Sequence, residues 1–441
     1  MKKKILIYID GDEYIRNYFS YDSFDLSKHE VVIYANKNIC NKHIMLFNDR
    51  FRGYINDDPK RLVLRSWQCD MIMTRFIGKS KSFTFRFNRY GRSRREKLKI
   101  LTLPFIFQIA SYVLSLKLRN NKEIENVLLK EKPDLVIIPT QVASPMCLDF
   151  IDSCERYGIK TLCLIDGWDN ISSKTIFPTF PSYMAVWGEQ SIKHAVEIQK
   201  FPEERVYQIG TPRFESYNKM SNDKKPYDFK YIVFTGCSIA FDEVSALKIL
   251  DYTLIQNGIK DIQIIYRPHP WRQKRSCFDC FIPEDFQNVQ LDKQMVNFYQ
   301  YSKTGDINVG IQPDLKYYPD LLNNCLFTIS PLTTMIMEAA IVGKYVMVLA
   351  YDDGIHYTNP KNALNNYEHF EGVKDISAFK FCYKYEDLSN KLLEMLKLVG
   401  SEPKYNDFKD EIKYIIDQTG EKYSNKLNNI VEDIFKKVSV S

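Results

Sequence analysis

One pattern governs this sequence: short apolar runs alternate with longer amphipathic segments along nearly the whole chain. In the first half the runs are Ile5–Ile9, Glu30–Tyr34, Leu135–Ile138, Thr161–Ile165, Met184–Val186 and Val206–Ile209. Helical periodicity lies between them, as over Ser144–Tyr157 and Gln190–Gln199. The runs are apolar at successive rather than alternate positions, so both faces need cover, which a parallel sheet between helical layers provides. A polar stretch without periodicity, Tyr217–Lys230 with Pro226, interrupts the pattern. It restarts with Tyr231–Thr235, Gln263–Tyr266, Val289–Leu291, Cys325–Ile329 and Val346–Ala350, and with helical Phe241–Asn257, Met335–Val342 and Leu388–Val399. The expectation is an α/β protein of two Rossmann-like, doubly wound domains, 1–216 and 231–424, facing a central cleft. Residues 217–230 would form the linker, and a final helix in 425–441 would pack back across it.

A length of 441 residues suits two such domains, and 45% apolar residues supply their cores. The net charge of +6 is mild for this size. It argues against bulk nucleic-acid binding and for small anionic ligands or a membrane surface. The ten cysteines form no regular framework, and the chain opens with Met1-Lys2-Lys3-Lys4 and a strand pattern in place of a long apolar leader. Free thiols and a cytoplasmic location are expected. Cys277 and Cys280 make a single CxxC, with no second pair to complete a zinc site. Ile100–Leu116 is apolar but interrupted, and it follows the basic run Arg86–Lys99. Two readings fit: a helix buried behind a solvated loop, which is favoured, or a peripheral patch over 86–116 meeting anionic lipid at the inner face of the plasma membrane.

Ligands of doubly wound sheets bind beyond the carboxyl ends of the strands, so residues directly after strands carry the chemistry. Tyr266-Arg267-Pro268-His269-Pro270 ends one. The prolines enforce an extended loop, and Arg267 and His269 suit phosphate oxygens. Ser330, Thr333 and Thr334 follow another strand and open a helix, whose first amides and dipole suit a phosphate or need only a cap. Glu338, a turn further on, would reach ribose hydroxyls or simply face solvent. Thr235-Gly236-Cys237-Ser238 follows the first strand of the second half, with Gly236 placed for close backbone approach to a ligand.

In the first half, Asp166-Gly167-Trp168-Asp169-Asn170 follows a strand. Activating an acceptor hydroxyl needs a general base, for which Asp166 or Asp169 qualifies, with Trp168 and Asn170 lining the cleft. Arg213, after the last strand of this half, would reach the cleft or form an interdomain ion pair. The pair Asp352-Asp353 reads as a loop rather than a metal site, because adjacent acids point apart.

The strand-end Arg267-Pro268-His269-Pro270, the Ser/Thr turn before Glu338-Ala339-Ala340 and Gly343-Lys344, the Gly167–Asn170 loop with Ser173-Lys174, and Gly210–Phe214 together resemble bacterial GT-B glycosyltransferases of surface polysaccharide assembly. The resemblance spans roughly 130–400. The His-Pro pair and downstream Ser/Thr are similar to sialyltransferases and Kdo transferases, and to CDP-glycerol transferases. Here Asp166-Gly167 carries one acid where the first two families carry two. The Glu-Ala-Ala helix is equally similar to UDP-sugar enzymes, including UDP-N-acetylglucosamine 2-epimerase. The resemblance implies a metal-independent glycosyltransferase without cofactor, using a CMP- or UDP-linked donor sugar and a saccharide or lipid-linked saccharide acceptor. Thr235, Gly236, Ser238, Arg267, His269, Ser330, Thr333, Thr334 and Glu338 would hold the nucleotide. The alternatives are an epimerase of that kind or a CDP-glycerol-type phosphotransferase.

Overall fold

The computed structural model describes all residues except 1, 20–21, 40–44, 141–143, 220–224, 270–280, 297–316, 418 and 441. Pro270 and the Cys277–Cys280 pair therefore lie outside the described residues. The chain divides into two compact units. Unit 1 comprises Met1–Glu215, Tyr367–His369 and Lys413–Ser441; unit 2 comprises Ser216–Asn366 and Phe370–Ile412.

Unit 1 is built on a seven-stranded parallel sheet. Its strands are β1 (Lys4–Ile9), β2 (Glu30–Asn36), β3 (Phe51–Ile55), β4 (Leu135–Thr140), β5 (Lys160–Ile165), β6 (Tyr183–Val186) and β7 (Val206–Gln208), in the order β3-β2-β1-β4-β5-β6-β7. Alternate side chains feed two separate cores, as the two-residue period of a strand requires. Leu6, Tyr8, Val32, Val136, Ile138 and Ile165 share one with Phe150 and Cys154. Ile5, Ile7, Ile9, Ile33, Ile137 and Leu164 share the other with Leu427, Ile430, Val431 and Ile434. The last four belong to the C-terminal helix Tyr423–Val440, so the end of the chain seals one face of the first sheet.

Unit 2 repeats the plan with a six-stranded sheet. Its strands are β8 (Lys230–Thr235), β9 (Ile262–Arg267), β10 (Val289–Leu291), β11 (Thr328–Ser330), β12 (Val346–Leu349) and β13 (Phe379–Cys382), in the order β10-β9-β8-β11-β12-β13. All recorded pairings in both sheets are parallel, so every strand delivers its carboxyl end to the same edge of its sheet.

The fold class matches the expectation from sequence, with three local differences. β3 and β13 were not visible in the apolar pattern; both are sheet edges. An edge strand need not be apolar throughout, and β3 carries Arg52 and Gly53. The return to unit 1 begins at Lys413 rather than at Asn425, and Tyr217, expected in a polar linker, is buried. The third difference concerns 100–116. The segment is not one buried helix but the end of α1 (Arg92–Leu101) and most of α2 (Pro104–Leu118), bent by 95°. Only Leu118 of α2 is buried.

Candidate functional site

In unit 2 the strand order reverses between β8 and β11, the switch point at which doubly wound sheets take their ligands. Thr235 and Ser330 end these two neighbouring strands. Thr235 Oγ1 donates to Ser330 Oγ at 2.6 Å, and both residues are buried. Gly236 follows. Its N–H donates to the carbonyl of Arg267 at 2.8 Å, which ties the exits of β8 and β9 together. A Cβ on Gly236 would stand 2.6 Å from Glu243 Oε2, 2.8 Å from the His269 nitrogen and 3.0 Å from Pro268 Cα. The glycine thus makes room for the Pro268–His269 loop and a buried carboxylate, not in the first instance for a ligand. That carboxylate accepts from the Cys237 N–H at 2.9 Å and from the Tyr266 hydroxyl at 2.8 Å.

His269 is half-buried beside this glycine, and Ser238 is exposed at the same strand end. Arg267 points elsewhere. Its guanidinium is buried, ion-paired with Asp292, hydrogen-bonded to Gln294 and 4.2 Å from the centre of the Tyr318 ring. Its charge is engaged within the protein, by partners on the neighbouring strand exit and the Tyr318 ring. Thr333 Oγ1 accepts from the Met335 N–H at 2.9 Å and caps the seven-residue helix Met335–Ile341; Thr334, at the N-cap, forms no side-chain cap. Glu338 is neither solvated nor open: it is buried and accepts from the Tyr217 hydroxyl. Asp352 Oδ1 accepts from the Gly354 N–H at 3.0 Å and from Asn359 at 2.8 Å, while Asp353 pairs with the His356 ring at 2.7 Å. Among the described residues no group of three or more His, Cys, Asp or Glu is arranged to hold a metal ion.

In unit 1 the order reverses between β1 and β4. Asp166, at the end of β5, is buried, and its N–H donates to Thr140 at the end of β4 at 3.0 Å. Its Oδ2 accepts from the Asn17 amide at 2.9 Å. Glu13 lies close by: burial, with added repulsion from Asp166 and Asp10, lifts its carboxyl above the usual range. Burial also lifts Asp10, against hydrogen bonds from Ser144, Tyr8 and Asn36. Asp10 and Glu13 are the residues that sequence reasoning missed. The signal was present as Asp10-Gly11-Asp12-Glu13 directly after the first strand, the same strand-end position that singled out Asp166.

Asp169 has a different environment. Burial opposes its ionisation, but Lys174, 2.6 Å away, and His369 hold its carboxyl below the usual range. A Cβ on Gly167 would stand 2.9 Å from Asp169 Oδ1 and 2.9 Å from Asn170 Oδ1, so this glycine lets its own turn fold back. Trp168 packs edge-on against His369 with ring centres 5.2 Å apart, and Asn170 is buried. Arg213 is half-buried, its guanidinium 5.9 Å from the Phe214 ring. The structure therefore gathers Thr235, Gly236, His269 and Ser330 at one switch point, and Asp166 with Glu13 at the other. Arg267, Glu338 and Asp169 each already have a protein partner.

No family model matches this sequence, and no curated protein matches it. Similar solved structures include a putative UDP-N-acetylglucosamine 2-epimerase from Listeria monocytogenes, with 11% identity and a TM-score of 0.53, covering 99% of this chain and 97% of that one. MnaA of S. aureus with UDP has 12% identity and a TM-score of 0.51, covering 98% and 97%. The UDP-GlcNAc 2-epimerase of Neisseria meningitidis bound to UDP-GlcNAc has 12% identity and a TM-score of 0.50, covering 98% and 100%. These likenesses extend over the whole chain and show the fold: two Rossmann-like α/β domains of the GT-B type.

Proposed function

We propose that this protein is a glycosyltransferase that moves a sugar from a nucleotide-activated donor to a saccharide hydroxyl, in the assembly of a bacterial surface polysaccharide. The observation that carries the reading is the contrast between the two switch points. In unit 2 it is marked by hydroxyls, a glycine and His269; in unit 1 it is marked by carboxylates.

The chemistry divides accordingly. Asp166, ionised, takes the proton of the acceptor hydroxyl as the new C–O bond forms at the anomeric carbon. The bond to the donor phosphate breaks, and the nucleotide leaves with the electron pair. His269 and the polar strand ends around it stabilise the charge that develops there. Glu13, whose carboxyl is lifted above the usual range by burial and by the neighbouring Asp166 and Asp10, lies beside this base. The solved UDP complexes of similar fold support a nucleotide ligand, a UDP-linked one first.

The same likenesses favour a second reading, a UDP-N-acetylglucosamine 2-epimerase. Inverting a ring carbon needs an acid and a base, and Asp10, Glu13 and Asp166 provide more than one carboxyl. UDP-N-acetylglucosamine alone, followed by NMR, separates the two. An epimerase converts it to the C2 epimer without an acceptor, whereas the transferase leaves it intact. The transferase should also be thermally stabilised by one member of a panel of UDP, CMP, CDP and GDP. If no nucleotide raises the melting temperature, both readings fall.

A further inference from the structure

Helix α2 has an apolar surface that the rest of the chain leaves uncovered. Residues 104–116 contain no charged side chain. Phe105 is 73% exposed, Ile109 49%, Tyr112 65% and Leu116 50%. Their spacing places all four on one face of the helix. The opposite face is already used: α2 packs on the helix Pro59–Met73, and the Arg75 guanidinium sits 3.9 Å from the centre of the Phe107 ring. The exposed stripe is therefore held outward by a fixed packing arrangement. Leu103 and Ile100, exposed at the bend before α2, extend it.

The charge distribution indicates what covers the stripe. Of the 61 Lys and Arg residues, eight lie in 92–122; of the 55 Asp and Glu residues, one does. This stretch thus carries +7 while the rest of the chain carries −1, so the whole positive balance of the protein flanks the apolar helix. Lys97 and Lys99 are exposed before it, Lys117 is exposed in its last turn, and Arg119 and Lys122 are exposed after it. Arg94 is excepted, being ion-paired with the buried Asp70, and Lys99 makes an exposed pair with Glu96 at 3.2 Å.

We propose that α1 and α2 dock this protein on an anionic lipid bilayer. The Phe105–Leu116 stripe enters the boundary between headgroups and acyl chains, and the lysines and arginines at its two ends meet lipid phosphates. A second copy is the weaker occupant, because a symmetric interface would set +7 against +7. The helix lies in the interface and does not span. Its 15 residues reach about 22 Å, against roughly 30 Å of hydrocarbon. Among the described residues no single helix is long and apolar enough to cross a membrane. The inference is independent of the reaction proposed above.

The test is co-sedimentation of the full chain with vesicles of phosphatidylcholine alone or mixed with phosphatidylglycerol. Binding is expected only to the mixed vesicles and should weaken as salt rises. Phe105→Asp with Ile109→Asp, and separately Lys97→Glu with Lys99→Glu, should each lower the partition coefficient roughly tenfold or more. These positions are exposed, so unchanged melting temperatures are expected and can be verified. Phe105→Trp should add a blue-shifted emission component on mixed vesicles. Equal binding to both vesicle types, or no binding to either, overturns the proposal. So does a dimer in sedimentation that Phe105→Asp converts to monomer without any vesicle binding.

Discussion

Asn17 donates its side-chain amide to Asp166 Oδ2 at 2.9 Å, and both residues are buried although 149 positions separate them in sequence. This bond fixes one carboxylate oxygen at the end of β5 and defines the difference between the two candidate bases. In Asp166→Asn the new amide oxygen still accepts from Asn17, and repulsion of Glu13 is relieved. The variant should therefore fold at least as stably as the parent, while kcat falls by a factor on the order of 10²–10⁴. Asp169→Asn instead loses the Lys174 partner at 2.6 Å. Because Lys174 is half exposed, the loss should be modest, about 1 kcal/mol or less, with nucleotide binding kept. Melting temperatures and single-turnover rates of both variants decide the point. A stable, inactive Asp169→Asn beside an active Asp166→Asn would reverse the roles.

Gly236 and His269 make a second pair of contrasting variants. In Gly236→Ala the added methyl would crowd Glu243 Oε2 at 2.6 Å and the His269 backbone at 2.8 Å. The carboxylate and the loop must shift, which should cost roughly 1–3 kcal/mol and abolish nucleotide-induced stabilisation. His269→Ala should remove that stabilisation while leaving the denaturant midpoint near the parent value. An unchanged nucleotide affinity in His269→Ala would remove this residue from the site.

The two sheets were legible because a parallel strand under two helical layers must be apolar at consecutive positions, as Leu135–Ile138 and Tyr231–Phe234 are. The strand-end rule also singled out Asp166 and His269, which do follow the ends of β5 and β9. What sequence could not supply was the partner of each charge. Arg267 read as a free cation because Asp292 lies on the following strand's exit, 25 residues away. Glu338 read as a ribose ligand or a solvated glutamate because Tyr217 comes from a stretch whose composition suggested a linker. Asp10 and Glu13 were overlooked because they sit in the amino-terminal stretch where the family resemblance was weakest. The exposed face of α2 was open to two readings, core or peripheral patch, because apolar composition alone does not distinguish a helix buried in protein from one that meets another surface.

Asp352 and Asp353 bear on the metal question. Asp352 Oδ1 is occupied by Gly354 and Asn359. Asp353 accepts the N–H groups of Ile355, His356 and Asp242. Burial opposes its ionisation, but these bonds and the His356 ring hold its carboxyl below the usual range. Both side chains are committed to their own loop and its neighbour. Full activity is therefore expected in excess EDTA, and Asp353→Asn should lower the melting temperature. Activity lost in EDTA and restored by Mg²⁺ or Mn²⁺ would contradict this and return attention to these carboxylates.

Acid stability is coupled to His194. This histidine is buried, and burial, with a smaller contribution from Lys193, pushes its pKa down to about 4 from 6.5. The folded state keeps the imidazole neutral where the unfolded chain would protonate it. Below pH 6.5 the unfolded state binds the extra proton, so this contribution to stability is present above that value and is lost as pH falls towards 4. The slope for one such proton is about 1.4 kcal/mol per pH unit. His369, pushed down to about 3 by burial, acts in the same sense. Asp10 and Glu13 act in the opposite sense, because their raised values let the folded state hold protons that the unfolded state has lost. The parent curve mixes these effects, whereas its difference from His194→Gln isolates one of them. Urea unfolding of the parent and His194→Gln at pH values of about 7, 6 and 5 should give curves that converge as pH falls, by up to about 1.4 kcal/mol per unit. Parallel curves would mean that His194 titrates alike in the folded and unfolded chains, and that burial of its ring is not what shapes stability in this range.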